Sequence, residues 1–384
     1  MKLIPRRSAS ALMAAALGVF LVTVGLNQKQ VTAQDMAGQK MEDAFKNIKS
    51  FRGLPADQLL PTMVFFEAAL GVGCPYCHDN DGAKRELDSK PQKMIARQMI
   101  DMVNAANKTT FNGQKRVTCF TCHMGRSTPV GVPNVIGGAL PTAQGEDFIA
   151  ALPPAPPVPT GVTPAQLFDK YFAAAGGAAA VQKTPSLIAA GTVTQRRPGK
   201  PFPAQQIEIQ SKSGVELITT RAGQNDNLLG YRGASAWAKP GNGAPRDLRY
   251  AEGDATRLED AFNLPAQLKT LLLEPKVERP EVIDGREMYV LSGKTQYLPK
   301  VTAYFEKESG MLRRLVYQID SFVGPYPTQI DYRDIRDVDG RKVPFSWVIS
   351  QTRNREFTWA FQNIRAAAVE DSKFAKPAAT TAAR

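Results

Sequence analysis

The chain has four cysteines and two histidines, and they fall into two copies of one pattern: Cys74-Pro75-Tyr76-Cys77-His78 and Cys119-Phe120-Thr121-Cys122-His123. Each histidine directly follows a CxxC pair. CxxC alone fits a redox dithiol, part of a zinc site or a disulfide. Followed at once by histidine, it fits covalent attachment of haem c. The spacing has a physical reason. Two thioether bonds must reach two vinyl groups of one porphyrin, and a CxxC turn sets the sulfurs at that separation. The next imidazole then meets the iron from the same side as its proximal ligand.

The rival chemistries leave residues unexplained. A glutaredoxin-like enzyme has no use for the histidine and needs a βαβ context. Here the residues before Cys74 read as helix, and a polar run, residues 79–87, follows the motif. One Cys₄ zinc site would leave both histidines without a role, and 41 residues separate Cys77 from Cys119. Two CxxC disulfides would be strained, and strained disulfides belong more to catalysis than to structure.

No third histidine exists, so a bis-histidine haem cannot form within one chain. Methionine thioether is the usual alternative. The segment before the first motif, PADQLLPTMVFFEAALGVGC, predicts a helix with Pro61 in its first turn and Gly71 and Gly73 ending it. Met63, Phe66 and Leu70 share one face, which makes Met63 the expected ligand of the first iron. The segment before the second motif places Ile95, Met99, Met102, Val103 and Ala106 on an apolar face, with Met94, Gln98 and Asp101 on the wetter side. Met99 is the first choice for the second iron and Met102 the reserve. Arg97, Lys115, Arg116 and Arg126 are near enough in sequence to pair with haem propionates, or else are ordinary solvated charge.

These elements need a setting. Of the 384 residues 43% are hydrophobic, enough for two packed domains. The formal charge of +12 suits an acidic partner or an anionic membrane surface. No Lys/Arg block with interleaved aromatics points to nucleic acid. Lys2, Arg6 and Arg7 precede an apolar run at residues 10–26, and Val31-Thr32-Ala33 offers small residues for cleavage. This predicts a signal peptide over 1–33 and a periplasmic location, with an uncleaved membrane anchor as the alternative. Removing Lys29 with the other three cations of that segment would leave +8.

A dihaem domain is then expected over 36–127 and a Pro/Gly/Ala-rich linker over 128–162. A C-terminal domain is expected over 163–377 and a disordered tail over 378–384. In the third segment Thr163-Pro164 opens a helix that Gly176-Gly177 closes. Period-two runs follow, among them QIEIQS, VELITTR, EMYVLSG, KVTAYFE and FTWAFQNI. Turn signals sit between such runs at Ser213-Gly214, Asp284-Gly285, Ser309-Gly310 and Asp339-Gly340. Residues 265–273 are expected to form a helix over one face. The fold class is thus multidomain: a mainly-α N-terminal module and an α+β domain with a curved antiparallel sheet.

The run LPTMVFFEAALGVGCPYCH … KMIARQMIDMVNAANK … VTCFTCHMG resembles the cytochrome c subunit of photosynthetic reaction centres, over about residues 41–126. The resemblance implies Cys74, Cys77 and His78 on one haem, Cys119, Cys122 and His123 on the other, and Met63 in the place of the family's axial methionine. That subunit carries four haems, whereas this chain has motifs for two. The C-terminal half, about 164–377, resembles the LolA-like outer-membrane lipoprotein carrier fold, a half-barrel with a helix across its mouth. That likeness rests on element order and on runs such as DKYFAAAGG and DVDGRKVPFSW. It implies an apolar concave face able to hold an acyl chain, with a docking module as the bland alternative.

The combined expectation is an exported protein with two covalently attached haem c groups that passes single electrons in the periplasm. Its partners would be redox proteins, one of them a membrane-bound donor or acceptor, with a lipid or lipoprotein at the C-terminal domain. The alternatives are a haem enzyme such as a peroxidase, which lacks a distal histidine here, and a lipid carrier with an accessory redox module.

Overall fold

The computed structural model describes residues 38–79, 81, 84–129, 156–196, 202–221, 226–241, 243–352 and 355–378. The expected signal segment lies outside these residues, as do most of the expected linker and most of the tail. Among the described residues no helix is long and apolar enough to cross a membrane.

The N-terminal part is helical. A short turn, α1 (Met41–Ala44), precedes α2 (Leu59–Leu70), α3 (Pro91–Thr110) and α4 (Cys119–His123). Helix α2, LLPTMVFFEAAL, is apolar nearly all round, as a helix buried on more than one side must be. Its deepest residues are Thr62, Phe65 and Ala69, while Met63, Phe66 and Leu70 form a half-buried second stripe. Helix α3 departs from expectation. Its buried line is Ile100, Val103 and Asn107, whereas Ile95 and Met102 are 55% and 52% exposed. The true stripe includes a polar residue, so a search for apolar periodicity settled on a rotated face.

The C-terminal part opens with α5 (Pro164–Ala174), started by Thr163 and Gln166 as a reciprocal capping box, and α6 (Gly177–Lys183). Fourteen antiparallel strands follow, β1 (Ser186–Arg196) to β14 (Arg355–Ala366), in the order β6-β5-β4-β3-β2-β1-β14-β13-β12-β11-β10-β9-β7, with β8 paired to β9. Every pairing but two joins strands that follow one another in sequence: β7 with β9, and the seam where β1 meets β14. The sheet is open, with β6 and β7 at its ends. At the seam, Gly191 is required by close approach: a Cβ there would sit 2.2 Å from the Ala360 carbonyl oxygen. Asp284-Gly285 and Asp339-Gly340 turn with positive φ at both positions, the backbone that two-residue hairpins favour.

Two helices fill one face of the sheet. Helix α8 (Leu264–Leu271) matches the helix expected near 265–273. Helix α7 (Ala251–Glu259) was not legible, because Gly253 and Thr256 weaken its signal. A Cβ on Gly253 would come within 3.0 Å of the Leu248 carbonyl oxygen, so glycine suits the tight fit there. Leu258, Phe262, Leu264 and Leu268 are fully or almost fully buried under the sheet. A cavity among Ile209, Glu216, Leu229, Glu259, Trp347 and Trp359 measures about 10 Å³. That is room for about one water, so side chains pack closely around this spot.

The two parts share one hydrophobic cluster. Met41, Phe51, Phe65, Ala69 and Ile100 from the helices join it together with the buried side chains of the sheet. At the contact, the turn at Gly324 lies so close that a Cβ there would be 2.8 Å from Thr118 Cγ2 and 3.2 Å from the Phe65 ring. Lys115 donates to the Ser321 carbonyl at 2.8 Å and lies over the Phe322 ring.

Burial pushes the carboxyl of Glu259 up to about 8, against a hydrogen bond from Tyr317 that lowers it. A carboxyl whose folded pKa lies above its unfolded value gives stability that is lost as pH rises through the interval between them. Thermal unfolding of the chain is therefore expected to show stability falling from about pH 4.5 to about pH 8. Glu259→Gln should flatten that slope; an equal slope in the variant would contradict this placement of Glu259.

Candidate functional site

Helix α2 stops at Gly71, which adopts the left-handed conformation at φ 65°. A 3₁₀ turn, Cys74–Tyr76, follows. The backbone N–H groups of Cys77 and His78 donate to the Cys74 carbonyl at 3.3 and 3.0 Å, bringing both residues round one turn from Cys74. His78 Nδ1 lies 2.9 Å from the Arg85 carbonyl oxygen. A carbonyl only accepts, so Nδ1 carries the proton and Nε2 keeps its lone pair. Burial lowers the His78 pKa, which favours the neutral, ligating imidazole.

The loop carrying that carbonyl is itself held. Lys93 donates to the carbonyls of Arg85, Glu86 and Leu87 at 2.9, 2.9 and 2.8 Å. Asp88 pairs with Arg97 at 2.8 Å and also binds Asn47, Lys49 and Lys93. The Arg97 guanidinium is the main reason the Asp88 carboxyl stays well below the usual carboxylate range.

The second motif is built differently around the same histidine geometry. Cys119–His123 forms α4, so Cys119 and Cys122 lie on one face. The Thr118 N–H donates to Thr121 Oγ1 at 3.0 Å at its start. Met124 ends it in the left-handed region. His123 is buried, and its Nδ1 lies 2.9 Å from the Arg126 carbonyl oxygen. Again Nε2 is the bare nitrogen. Helix α4 packs on α2 and α3, and the Gly125 N–H donates to the Ala69 carbonyl at 2.9 Å. Buried Asn107 of α3 fixes the approach: its Oδ1 accepts from the N–H groups of Arg116 and Val117 at 3.0 and 2.9 Å, and its Nδ2 donates to the Val117 carbonyl at 2.7 Å. Sequence reasoning missed Asn107; its only signal was a polar residue four positions after Val103.

Two of the thiols, Cys77 and Cys119, differ from reactive cysteines. Burial pushes Cys119 up to about 11 and raises Cys77, whereas reactive cysteines have depressed values. No disulfide joins the four cysteines. Among the described residues no three His, Cys, Asp or Glu side chains gather as a metal cluster, so the two CxxC pairs do not form one tetrahedral site. Cys74 Sγ donates to Glu67 Oε1 at 3.0 Å.

Met63 is half-buried on α2 and packs on the shared core. Sequence order links it to the first motif, but α2 also packs on α4. Met99 is half-buried and Met102 mostly exposed. Arg97 and Lys115 are engaged with protein groups, and Arg116 reaches Gln114 at 3.2 Å; Arg126 is exposed. Of the four candidate propionate partners, the first two are structural here.

The residues fit covalent haem. Each site offers two thiols one turn apart and an imidazole with its Nε2 lone pair available. Tyr76, Met94, Ile95, Met102, Phe120 and Met124 leave apolar surface exposed within the same small helical module, an unusual concentration unless something apolar covers it.

Residues 21–146 match the family described as "Photosynthetic reaction centre cytochrome C subunit". The chain is 31% identical over 122 residues to the photosynthetic reaction center cytochrome c subunit of Rubrivivax gelatinosus, covering 31% of this chain and 32% of that protein. It is 28% identical over 127 residues to that of Thermochromatium tepidum, covering 30% and 31%. It is 34% identical over 115 residues to cytochrome c-554 of Chloroflexus aurantiacus, covering 28% and 24%. The chain thus spans about a third or less of the length of these relatives. Among solved structures, a LolA superfamily protein from Nitrosomonas europaea aligns with 56% of this chain and 99% of its own, at 15% identity and a TM-score of 0.43. A DUF1329 family protein from Desulfovibrio piger aligns with 55% and 96%, at 15% identity and a TM-score of 0.40.

Asn107→Ala would leave two backbone donors and one acceptor of the 116–117 segment without their partner, at a cost of about 1–3 kcal/mol. For motifs that carry covalent haem, attachment at Cys119 and Cys122 would fall, while attachment at Cys74 and Cys77 would persist. Peptide mapping after export would check this; equal loss at both motifs would contradict a local role for Asn107.

Proposed function

We propose that the chain is an exported dihaem c-type cytochrome that passes single electrons in the periplasm. One observation carries this reading. Both histidines commit Nδ1 to a backbone carbonyl and so leave Nε2 as the nitrogen for a metal, directly after two thiols one turn apart. Two local folds, a 3₁₀ turn and an α-helix, arrive at the same donor set. The similarity to reaction-centre cytochrome c subunits and to cytochrome c-554 supports the same class.

In this reading Cys74 and Cys77 hold one haem and Cys119 and Cys122 the other. His78 and His123 are the proximal ligands. Met63 is the sixth ligand of the first iron and Met99 of the second, with Met102 in reserve. Bound haem supplies the one-electron couple. The protein's work is to hold each imidazole fixed, so that little rearranges when an electron enters or leaves. The Arg85 and Arg126 carbonyls orient the rings and raise their basicity as ligands. Lys93 and Asn107 secure the loops around these ligands. The partners would be redox proteins, including a membrane-bound donor or acceptor. The C-terminal part would meet a docking partner, or a lipid or lipoprotein.

Spectroelectrochemistry of the full-length haem-loaded protein tests the reading: two reversible one-electron steps are expected. Peroxide turnover with a five-coordinate, ligand-binding haem would instead support an enzyme. Met63→Ala should abolish methionine ligation at one haem only, seen in the near-infrared ligand-field bands; unchanged bands would remove Met63 from the assignment.

A further inference from the structure

We infer that Arg355, the first residue of β14, tunes the first haem site through Glu67, so that the sheet domain sets the reduction potential of the haem held by Cys74 and Cys77. The inference rests on the dihaem reading above and gives the C-terminal domain a task at the haem itself.

Glu67 lies on the last turn of α2, and its two oxygens face different parts of the molecule. Oε1 accepts from the Cys74 thiol at 3.0 Å. Oε2 lies 2.9 Å from Arg355 Nη1, a contact between residues 288 apart in sequence. The pair is well shielded: the Glu67 side chain is 16% exposed and that of Arg355 8%. The Arg355 guanidinium also sits over the Phe357 ring, 5.7 Å from its centroid, which orients it from the β14 side. A cation anchored in the sheet is therefore joined through one carboxylate to the sulfur that the first haem would use.

Thioether formation would add the Cys74 S–H across a porphyrin vinyl group, sulfur to one carbon and hydrogen to the other, so the sulfur would no longer donate to Glu67. The carboxylate would then face a haem held at Cys74, with Arg355 as its counter-charge. A carboxylate near a haem favours the ferric, more positive state and lowers the potential, and a cation at contact distance offsets much of that field. Shielding from water makes both terms larger than they would be at the surface. No comparable acid–base pair touches Cys119 or Cys122 among the described residues, so the effect is confined to one haem.

The test is a potentiometric titration of the full-length, exported and haem-loaded protein, followed optically. The first haem is identified as the step that moves in Met63→Ala. Arg355→Gln should lower the first-haem midpoint and leave the second in place. Glu67→Gln should raise it, and Arg355→Lys should restore nearly the original value. Should Arg355→Gln fail to accumulate, the near-isosteric Glu67→Gln carries the test. Unchanged midpoints in Glu67→Gln protein carrying two covalent haems would overturn this inference alone, as would equal shifts of both haems. Absence of haem from Cys74 and Cys77 in the unaltered protein would overturn the dihaem reading itself.

Discussion

Helix α2 is the constraint on which the rest of the structure depends, because it serves two bodies at once. Its Thr62–Phe65–Ala69 line is buried, with Phe65 against the turn at Gly324. Its second stripe, Met63–Phe66–Leu70, stays half-buried beside the two cysteine motifs. Its end is a glycine stop that delivers the chain into Cys74, and its Ala69 carbonyl holds the exit of the second motif through Gly125. A helix so placed must be apolar on most of its surface, and LLPTMVFFEAAL is. The one charged residue in it, Glu67, is paired across the contact to Arg355. Any shift of α2 against the sheet would disturb both motifs together.

The two histidine sites show how one chemical requirement is met by unrelated local structure. His78 takes its carbonyl from a loop seven residues on, and that loop is stitched by Lys93 and by the ion pairs of Asp88. His123 takes its carbonyl from three residues on, within the turn that ends α4. The first arrangement needs long side chains reaching back from α3. The second needs a buried asparagine and a tight turn. In each case the proton on Nδ1 is assigned by what a carbonyl can accept, and the ligating nitrogen follows from it.

Much of this was legible because cysteine and histidine are rare and their spacing is specific. The strands were legible too, since QIEIQS, EMYVLSG, KVTAYFE and FTWAFQNI lie within strands of the sheet and VELITTR runs one residue past its own. Local turn chemistry placed the hairpins at Asp284-Gly285 and Asp339-Gly340. What escaped was whatever depends on contacts distant in sequence. The buried face of α3 was misplaced because Asn107 counts as polar yet is buried to bind a backbone segment. Helix α7 was hidden because Gly253 is there for fit rather than for helix formation. Arg97 and Lys115, read as candidates for haem propionates, are spent on Asp88 and on the Ser321 carbonyl. Nothing in the residues near Glu67 indicates that its partner lies on the last strand.

The account makes the C-terminal sheet a partner of the haem module rather than an independent carrier. The continuous hydrophobic cluster favours that view. Its central claim is chemical: the two CxxCH motifs carry covalent haem. The most direct measurement is the intact mass of the exported protein, denatured and stripped of non-covalent haem, from a host that matures other c-type cytochromes. The account predicts the polypeptide plus two haems. A mass with no haem, in a host shown to mature a control cytochrome, would contradict it and return the four thiols to dithiol or zinc chemistry.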